Sequence, residues 1–278
     1  MNIGIVGLGL IGGSIGLKLQ SLNHTVYGVT NNKPNEIKAK KRKLANFISQ
    51  DYEILENCSI IFLALPIKHL INPSKELIKA IPTKAILSDV GSVKVPIVET
   101  WDKIHDLFIG SHPMAGTEEK GVSAGKIELF DNSKWIITPT DKTDQNSLNT
   151  LSKLIKTMGC DIYFENPVIH DKAVADISHL PIFLASCLIE TAYCKHNQDL
   201  LNLSGRIAAT GFSDTSRVGG GNPVLGVDLA ENNTVNILTS IKKFKKNINE
   251  IEKIFEARDW DLLEKKLQKT QEWRNHFC

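Results

Sequence analysis

Residues 2–6 form a short apolar run, and the pattern Gly-x-Gly-x-x-Gly follows it at once, with its glycines at Gly7, Gly9 and Gly12. Apolar residues then recur at helical spacing from Ile11 to Leu22. A strand, a glycine turn and a helix in this order predict the first half of a βαβ unit. Because the N–H groups at the start of such a helix attract phosphate, the turn predicts a dinucleotide-binding site.

Each glycine of this turn has its own predicted task. Gly7 permits the tight turn, Gly9 lets a pyrophosphate approach the backbone, and Gly12 allows the helix to pack closely on the strand. The alternative is an ordinary glycine-rich turn between a strand and a helix. The predicted cofactor contacts belong to this turn and to the end of a later apolar run at residues 60–65, namely Gly7, Gly9, Leu10, Ile11, Gly12, Leu65 and Pro66.

The turn after the second apolar run carries no carboxylate. An NAD-binding fold usually has Asp or Glu about 20 residues beyond the glycines, where it accepts hydrogen bonds from the ribose hydroxyls. This chain has Thr30, Asn31, Asn32 and Lys33 instead. Hydroxyl and amide donors with one lysine suit a 2′-phosphate, which a carboxylate would repel, so these four residues favour NADP over NAD. The alternative is an exposed polar turn that simply lacks an acid.

Strand and helix patterns alternate through the first half of the chain. Stretches of helical spacing, one of them from Leu70 to Ile81, separate several short apolar runs. This alternation predicts an α/β fold with a mainly parallel, doubly wound sheet of the Rossmann type. The predicted strands are residues 2–6, 25–29, 60–65, 85–89, 107–110 and 134–138.

Beyond residue 166 the patterns are helical only. One apolar face runs from Val174 to Ala192 and another from Ile237 to Phe255. We therefore predict an NADP-binding Rossmann domain at residues 1–166, followed by an all-α substrate and dimerisation domain at residues 167–278. Because no sheet covers the helical faces, we expect part of this surface to be buried against a second copy in a homodimer.

The composition is that of an ordinary soluble globular protein, with 42% hydrophobic residues and a formal net charge of +2. This charge gives no reason to expect a nucleic acid or a membrane surface as a partner. The five cysteines include no Cys-x-x-Cys pair and no zinc-ligand spacing, so we expect reduced thiols and no metal. The sequence pattern shows no targeting or membrane-spanning segment, and a cytoplasmic location is expected.

Two polar segments follow predicted strands, at the edge where doubly wound sheets bind their ligands. One spans residues 88–94 and includes Ser92. The other spans residues 110–118 and includes His112, which Pro113 biases away from helical geometry. An imidazole at this edge is a candidate general base. From the pattern alone, an exposed loop histidine without a role explains His112 equally well.

Further motifs follow in the second half, namely His170-Asp171, Ser178-His179-Leu180-Pro181 and Asp214-Thr-Ser-Arg217. In this order, and together with the glycine turn and the two polar segments, they resemble the prephenate/arogenate dehydrogenase family of tyrosine biosynthesis. The resemblance spans nearly the whole chain. Within the family, the sequence is similar to the cyanobacterial branch, whose members resemble NADP-dependent arogenate dehydrogenases. It departs from the family pattern after Arg217, where Gly219-Gly220-Gly221 stand in a stretch that is less glycine-rich in many members.

The resemblance implies oxidation of the ring hydroxyl of a cyclohexadienol, with hydride transfer to a nicotinamide and loss of the ring carboxylate as carbon dioxide. It implies that His112 is the general base for that hydroxyl. It also implies that Ser92 forms a hydrogen bond to His112 or to the hydroxyl and fixes the orientation of that group. A capping serine in a loop is the alternative for Ser92. The implied substrate contacts are His179, Arg217, Thr117 and Asp214.

The substrate side chain separates arogenate, which carries an ammonium group, from prephenate, which carries a keto group. Arg217 suits a carboxylate of either substrate. A carboxylate near the pocket would favour arogenate, and Asp214 and Asp176 are available unless each is a helix cap or a surface acid. We expect an NADP-dependent arogenate dehydrogenase, with prephenate as the alternative substrate.

Two other classes of protein stay open at this point. One is a different NADP-dependent enzyme with a helical dimerisation domain, such as a β-hydroxyacid dehydrogenase or a pyrroline carboxylate reductase. A lysine base would mark the former, and Lys68, Lys94 and Lys172 stand in no glycine-rich helical motif of that kind. The other is a non-catalytic NADP-sensing protein, which would keep the glycine turn and need no base.

Overall fold

The computed structural model describes residues 1–117 and 119–277, so Glu118 and Cys278 lie outside the described residues. The chain divides into two compact units, Met1–Asn233 and Thr234–Cys278. This is a division by contacts, whereas the predicted boundary between residues 166 and 167 separates secondary-structure types and stays a prediction. The cysteines at positions 58, 160, 187 and 194 are free thiols.

An eight-stranded sheet forms the framework of the first unit. Its strands are β1 (Asn2–Val6), β2 (Thr25–Val29), β3 (Phe47–Ser49), β4 (Ile60–Leu63), β5 (Ile86–Asp89), β6 (Phe108–Pro113), β7 (Lys134–Thr138) and β8 (Asp161–Phe164). They lie in the order β3-β2-β1-β4-β5-β6-β7-β8, and every neighbouring pair is parallel except β6 and β7. The predicted doubly wound, mainly parallel sheet is confirmed.

The structure differs from the predicted strands at three points. The sequence pattern predicts neither β3, which has only three residues, nor β8, whose side chains are mostly exposed at the edge of the sheet. Strand β6 continues to Pro113, beyond the predicted end at residue 110. His112 therefore lies in a strand, paired with Ile136 of β7, and not in an exposed loop.

The central strands are buried on both faces, since helices cover both sides of the sheet. One buried cluster contains Phe130 and Trp135, and a second contains Trp101 and Phe108. The Trp101 indole N–H donates to the Leu70 carbonyl at 2.8 Å, so its burial leaves no unpaired donor. Continuous apolar runs in β1 and β4, without alternation, follow from this double burial.

The other regular elements of the first unit are helices. Short 3₁₀ turns lie at Tyr52–Leu55, Ile127–Phe130 and Arg217–Gly220. The helical run predicted from Leu70 to Ile81 is divided into two helices, because Pro73 lacks an N–H and disfavours helical geometry at the residue before it. The helices are α1 (Leu10–Ser21), α2 (Lys33–Lys41), α3 (Ile67–Ile71), α4 (Lys75–Ala80), α5 (Val95–Trp101), α6 (Gln145–Thr157), α7 (Pro167–Val174), α8 (Leu180–Ala192), α9 (Gln198–Ile207), α10 (Thr210–Ser216) and α11 (Pro223–Asn232).

A π-helical turn at Ala175–His179 joins α7 to α8. Pro181 stands near the start of α8, where its missing N–H interrupts the regular hydrogen-bond ladder, and the wider π turn absorbs the interruption. The helix therefore changes geometry at His179. No strand follows residue 166 among the described residues, so the predicted all-α second half is confirmed.

The helical segment Pro167–Ala192 is long and apolar enough to cross a membrane by length and composition, since it contains an 18-residue stretch with a mean hydropathy of 1.5. The core helix of a soluble protein meets the same criterion. This segment carries three buried polar residues, His170, Asp171 and His179, which belong to the polar site of the first unit. That arrangement accounts for its first half without a membrane.

The second unit consists of α12 (Thr234–Ala257) and α13 (Trp260–Arg274). The chain reverses between them at Arg258, which has a φ of 53°, and the rings of Phe255 and Trp260 lie 5.7 Å apart at this corner. Many large apolar side chains of these helices are exposed, among them Val235, Leu238, Ile248, Phe255, Trp260, Leu262, Leu267 and Trp273. Exposed apolar surface of this extent is typical of a protein–protein interface.

Two alanine substitutions in the glycine turn should have different effects on stability. A Cβ at Gly12 would lie 1.9 Å from the Gly7 carbonyl oxygen, whereas a Cβ at Gly9 would meet no atom within 4 Å. We expect Gly12→Ala to lower the free energy of unfolding by about 1–3 kcal/mol through overpacking, and Gly9→Ala to lower it by under about 1 kcal/mol. Urea denaturation measures both, and equal losses would contradict the predicted close packing at Gly12.

Candidate active site

The carboxyl ends of β1, β4, β5 and β6 lie side by side, because these strands are parallel neighbours. The glycine turn follows β1, Leu65 and Pro66 follow β4, and Ser92 follows β5, while His112 lies near the end of β6. Neighbouring strands are about 4.8 Å apart, so this row extends over about 14 Å from β1 to β6. Predicted cofactor and catalytic residues thus share one edge of the sheet.

The glycine turn has the geometry that a pyrophosphate requires. Gly7 has a φ of 97°, a conformation that favours glycine. The N-terminus of α1 has no side-chain cap and no acidic residue in its first turn, and the space beside Gly9 is open. Uncapped N–H groups beside open space attract an anionic ligand. The residues present therefore fit the pyrophosphate of a dinucleotide.

A carboxylate that the sequence analysis did not single out lies beside the predicted 2′-phosphate turn. Glu36 of α2 accepts hydrogen bonds from Lys40 Nζ at 2.6 Å, from Gln50 Nε2 at 2.8 Å and from Lys33 Nζ at 3.1 Å. These contacts, that of Lys40 most strongly, lower the pKa of Glu36 to about 2. Two ammonium groups thus surround one carboxylate, and the local charge is positive.

The other residues of that turn are arranged around the start of α2. Thr30 is buried, and its Oγ1 has no hydrogen-bond partner among the described residues. The side-chain oxygen of Asn31 accepts from Asn35 Nδ2 at 2.8 Å, and that of Asn32 accepts from the Asn35 backbone N–H at 2.9 Å. The amide oxygens of both residues therefore point to the helix and leave their N–H₂ groups as donors for a ligand.

His112 is buried and lies next to a second buried histidine. Its Nδ1 lies 2.9 Å from Nε2 of His170 on α7, and Nδ1 of His170 lies 2.8 Å from Oδ1 of Asp171. No hydrogen bond to Nε2 of His112 is found in the described part of the chain. The three side chains form a hydrogen-bonded chain, whose free end is Nε2 of His112.

The Asp171 carboxylate also binds the start of α5. Its Oδ1 accepts the Lys94 backbone N–H at 2.7 Å, and its Oδ2 accepts the Val95 N–H at 2.9 Å. Asn233, at the end of α11, donates to the Asp171 carbonyl at 2.8 Å. These bonds attach α7 to the polar segment that contains Ser92.

A buried ion pair lies next to the hydrogen-bonded residues His112, His170 and Asp171. The Lys94 ammonium is fully buried and contacts Asp89 Oδ2, and it donates to the Ser111 carbonyl at 2.6 Å. Asp89 also accepts the backbone N–H groups of Gly91 and Ser111, at 2.7 and 3.1 Å. Burial lowers the pKa of Lys94, and the Asp89 charge opposes that shift.

Burial also lowers the pKa of His112 well below its ordinary value, and electrostatic repulsion by the groups around it, His170, Lys94 and His179, lowers it further. The imidazole is therefore neutral at neutral pH, which is the form that accepts a proton.

His179 is fully buried on the π turn. Desolvation lowers its pKa to about 4, although the Asp171 carboxylate opposes the shift. Nδ1 lies 3.2 Å from the Asn233 amide nitrogen and accepts from it, so the neutral ring carries its proton on Nε2. That Nε2 makes no hydrogen bond of regular geometry with a described residue, although the nearby Ser92 backbone raises the pKa of the ring to a small extent.

The remaining predicted site residues are more open. The half-buried Ser92 follows β5, and its hydroxyl makes no hydrogen bond with a described residue, so His170 and not Ser92 holds the Nδ1 side of His112. Thr117 Oγ1 accepts the Glu119 N–H at 3.2 Å. Asp214 and Arg217 are exposed, and neither forms an ion pair with a described residue.

The glycine triplet Gly219-Gly220-Gly221 lies just beyond Arg217. The structure shows a turn that packs on α8, since a Cβ at Gly219 would lie 2.6 Å from backbone atoms of Ala185 and Ser186. No group of three or more His, Cys, Asp or Glu side chains that could hold a metal ion is found in the described ranges.

Comparison with known proteins decides the family. Residues 15–164 match the family described as "Prephenate dehydrogenase, nucleotide-binding domain", and residues 166–269 match "Prephenate dehydrogenase, dimerization domain". The chain belongs to the prephenate dehydrogenase family. The resemblance stated from the sequence motifs is confirmed.

The relatives in this family differ in substrate. The prephenate dehydrogenase of Bacillus subtilis (strain 168) is 29% identical over 98% of this chain and 74% of the relative. The cyclohexadienyl dehydrogenase of Zymomonas mobilis is 26% identical over 98% of this chain and 94% of the relative. The chain is therefore a dehydrogenase of the prephenate, arogenate or cyclohexadienyl type.

Two solved structures of the family superpose over nearly the whole chain. Synechocystis arogenate dehydrogenase is 36% identical, with a TM-score of 0.83 and coverage of 100% of both chains. The Aquifex aeolicus prephenate dehydrogenase in complex with hydroxyphenyl propionate and NAD+ is 26% identical, with a TM-score of 0.91 and coverage of 100% of this chain and 98% of that chain. The fold of this member is thus the fold of the family.

Several polar residues of the site received no role from the sequence analysis. His170 and Asp171 were noted only as a motif, and Lys94 only as a lysine without a motif. The sequence offered two indications of a role in the site. His170 and Asp171 are adjacent in a family motif, and Lys94 ends the polar segment after β5. Asn233 carried no indication, because it lies far along the chain from each of its partners.

Removal of the buried ammonium should destabilise this family member strongly. Lys94→Met leaves the Asp89 carboxylate without its ionic partner, and we expect a loss of about 3–5 kcal/mol in the free energy of unfolding. Urea denaturation followed by the fluorescence of the buried Trp101 and Trp135 measures it. The matched double variant Asp89→Asn/Lys94→Met removes both charges and should recover more than half of the loss. A double variant no more stable than Lys94→Met would contradict the claim that the unpaired Asp89 charge causes the loss of stability.

Proposed function

We propose that this protein oxidises L-arogenate to L-tyrosine and carbon dioxide, with NADP+ as the hydride acceptor. The observation that carries the proposal is the buried, neutral His112, whose Nδ1 side is occupied by His170 and whose Nε2 is unbonded to any described residue. A general base needs this arrangement, with a fixed ring and one free lone pair. A non-catalytic NADP-sensing protein would not need it.

In the proposed reaction, bound NADP+ supplies the acceptor for the hydride that leaves the ring carbon bearing the hydroxyl. His112 Nε2 takes the hydroxyl proton as the carbon–oxygen double bond forms. Loss of the ring carboxylate as carbon dioxide leaves its electron pair in the ring, which becomes aromatic. The proton then returns from His112 to the ring oxygen, so that the products are tyrosine, carbon dioxide and NADPH.

The remaining predicted residues would orient the substrate. The unpartnered Nε2–H of His179 is a buried donor, and a substrate oxygen would satisfy it. The free hydroxyl of Ser92 suits a hydrogen bond to the ring hydroxyl. The guanidinium of Arg217 suits a substrate carboxylate because its fork of donors binds two oxygens at once. Thr117 lies on the loop after β6 and is proposed as a further contact.

The preference for arogenate rests on two observations. The chain is 36% identical to Synechocystis arogenate dehydrogenase over its whole length. Asp214, an exposed carboxylate close in sequence to Arg217, suits the substrate ammonium, which prephenate lacks. Prephenate is the alternative substrate, because similar relatives are prephenate dehydrogenases.

The preference for NADP+ rests on the charge at the start of α2. Lys33 and Lys40 outnumber the single carboxylate of Glu36, and the unpartnered Thr30 hydroxyl is a further donor. A 2′-phosphate would add negative charge where this turn is positive. NAD+ is the alternative, since it is bound in the Aquifex aeolicus relative.

A two-domain homodimer in the cytoplasm completes the proposal. The division at residues 166 and 167 places the sheet in one domain and the all-α region in the other. The second family match is described as a dimerization domain, and exposed apolar side chains of α9 and the second unit offer the surface for a second copy. Burial of that surface in a two-fold interface would stabilise the helical domain.

A four-way assay tests the function. NADPH or NADH formation is measured with arogenate or prephenate, each with NADP+ or NAD+, and kcat/KM should be highest for arogenate with NADP+. His112→Asn removes Nε2 but keeps a polar group near Nδ1, so kcat should fall about 10³-fold while the Kd of NADP+ is unchanged. A higher kcat/KM with prephenate would overturn the substrate, and an unchanged kcat in His112→Asn would overturn the base.

The lysines of α2 should discriminate between the cofactors. Lys33→Gln removes one ammonium from the predicted 2′-phosphate turn, and we expect the KM for NADP+ to rise about tenfold, which corresponds to about 1.4 kcal/mol. The KM for NAD+ should change by less than about twofold. Lys38→Gln, on the same helix, is the matched control for net charge, and should leave both KM values unchanged. An equal rise for both cofactors after Lys33→Gln would contradict a 2′-phosphate contact.

A further inference from the structure

Asp171, His170 and His112 form a continuous hydrogen-bonded chain inside the protein. The two distances are 2.8 Å from Asp171 Oδ1 to His170 Nδ1 and 2.9 Å from His170 Nε2 to His112 Nδ1. His170 and Asp171 are each 2% exposed and His112 is 7% exposed, so water does not compete for these bonds. The proposed reaction uses the free end of this chain and leaves the purpose of the other two residues unexplained.

The direction of the hydrogen bonds follows from the Asp171 end. The carboxylate accepts the Lys94 and Val95 N–H groups at the start of α5, and it is an acceptor towards His170 as well. His170 therefore donates from Nδ1. In its neutral form it has one proton, so its Nε2 carries a lone pair. That lone pair accepts from His112, which consequently has its proton on Nδ1 and its lone pair on Nε2.

We propose that Asp171 and His170 are positioning residues that hold His112 in the Nδ1–H tautomer, so that Nε2 is the atom that accepts the substrate proton. The inference rests on the proposed function, because it explains how the proposed base is prepared. When Nε2 takes the hydroxyl proton, His112 becomes an imidazolium that still donates from Nδ1 to His170. The proton leaves again from Nε2, and neither His170 nor Asp171 changes its protonation.

The charges around His112 favour this arrangement. Lys94, before α5, pairs with Asp89 at the end of β5, and the neutral His179 lies on the π turn with Asn233 on its Nδ1. Asp171 is the carboxylate bonded to the histidine chain itself. The imidazolium that forms on His112 in the reaction is transient, and the hydrogen bond from its Nδ1–H to His170 stabilises it.

A purely structural role is the competing explanation, because Asp171 caps α5 and His170 fills the core. Asp171→Asn separates the two. Its N–H₂ in the place of Oδ1 donates to Nδ1 of His170 and no longer accepts the Lys94 N–H, while its side-chain oxygen in the place of Oδ2 still accepts the Val95 N–H. His170 must then carry its proton on Nε2 and donate to His112, which places the His112 proton on Nε2, where no proton can be accepted. An aspartate-to-asparagine change with this consequence lowers kcat by about 10⁴-fold in a serine protease.

Adding His170→Gln to Asp171→Asn should restore part of the lost kcat, and only the tautomer explanation predicts this recovery. The amide that this substitution introduces can present its oxygen to His112 and can rotate to suit either Asp or Asn at position 171. We expect about a 10⁴-fold fall in kcat for Asp171→Asn, and about a tenfold fall for His170→Gln. The double variant should be at least tenfold faster than Asp171→Asn. The KM for substrate and the Kd of NADP+ should change by less than about threefold in all three variants.

A second pair of variants leaves the α5 cap intact. His170→Leu removes the acceptor without touching Asp171, and its kcat should fall far more than that of His170→Gln. This pair decides the question if Asp171→Asn does not fold, as judged by its thermal unfolding. ¹⁵N chemical shifts of the histidine rings read the tautomer directly, and Nε2 of His112 should have the unprotonated shift in the wild type and the protonated shift in Asp171→Asn.

The outcomes separate this inference from the proposed function. If the wild type oxidises neither arogenate nor prephenate, the function fails. If His112→Asn is inactive while Asp171→Asn or His170→Leu keeps the wild-type kcat, the function stands and the positioning role is overturned. The role is also overturned if the double variant is as slow as Asp171→Asn, or if wild-type His112 carries its proton on Nε2.

Discussion

The Asp171 carboxylate is the contact on which the rest of the site depends. It accepts two N–H groups at the start of α5 and a third from His170, so one side chain joins the helical region to the edge of the sheet. Negative charge at a helix N-terminus is favourable, and burial strengthens the hydrogen bonds that it makes. The position of α7, and with it the ring of His170 against His112, follows from where α5 begins.

Buried charge around this contact is balanced locally. The Lys94 ammonium pairs with Asp89, whereas hydrogen bonds from N–H groups stabilise the Asp171 carboxylate. A cation in direct contact with Asp171 would compete with His170 for the carboxylate. Because the ammonium is held on the Asp89 side, its field instead reaches His112, where it helps to keep the imidazole neutral. The separation of the two carboxylates thus contributes both to the fold and to the neutral state of the proposed base, His112.

The extent to which this protein was predictable from its sequence depends on the range of the contacts. The strands with buried, continuous apolar runs were found, because double burial leaves a local pattern, whereas the short β3 and the exposed β8 leave none. The glycine turn was found for the same local reason. His112 was assigned through the family motifs, but its partner was not, since the contact with His170 joins β6 to α7. Asn233 and the lysine cluster on Glu36 likewise depend on side-chain directions that spacing does not reveal.

Helix α8 joins the two ends of the proposed substrate site. His179 ends the π turn immediately before α8, and the turn that carries Arg217 packs on the same helix through Gly219, which has no room for a side chain. The proposed donor to a substrate oxygen and the proposed ligand of a substrate carboxylate are therefore supported by one helix. Hydride transfer requires the reacting carbon to be held in a narrow range of positions. A rigid support shared by both groups meets this requirement better than two independent loops would, and the close contact at Gly219 is what makes the support shared.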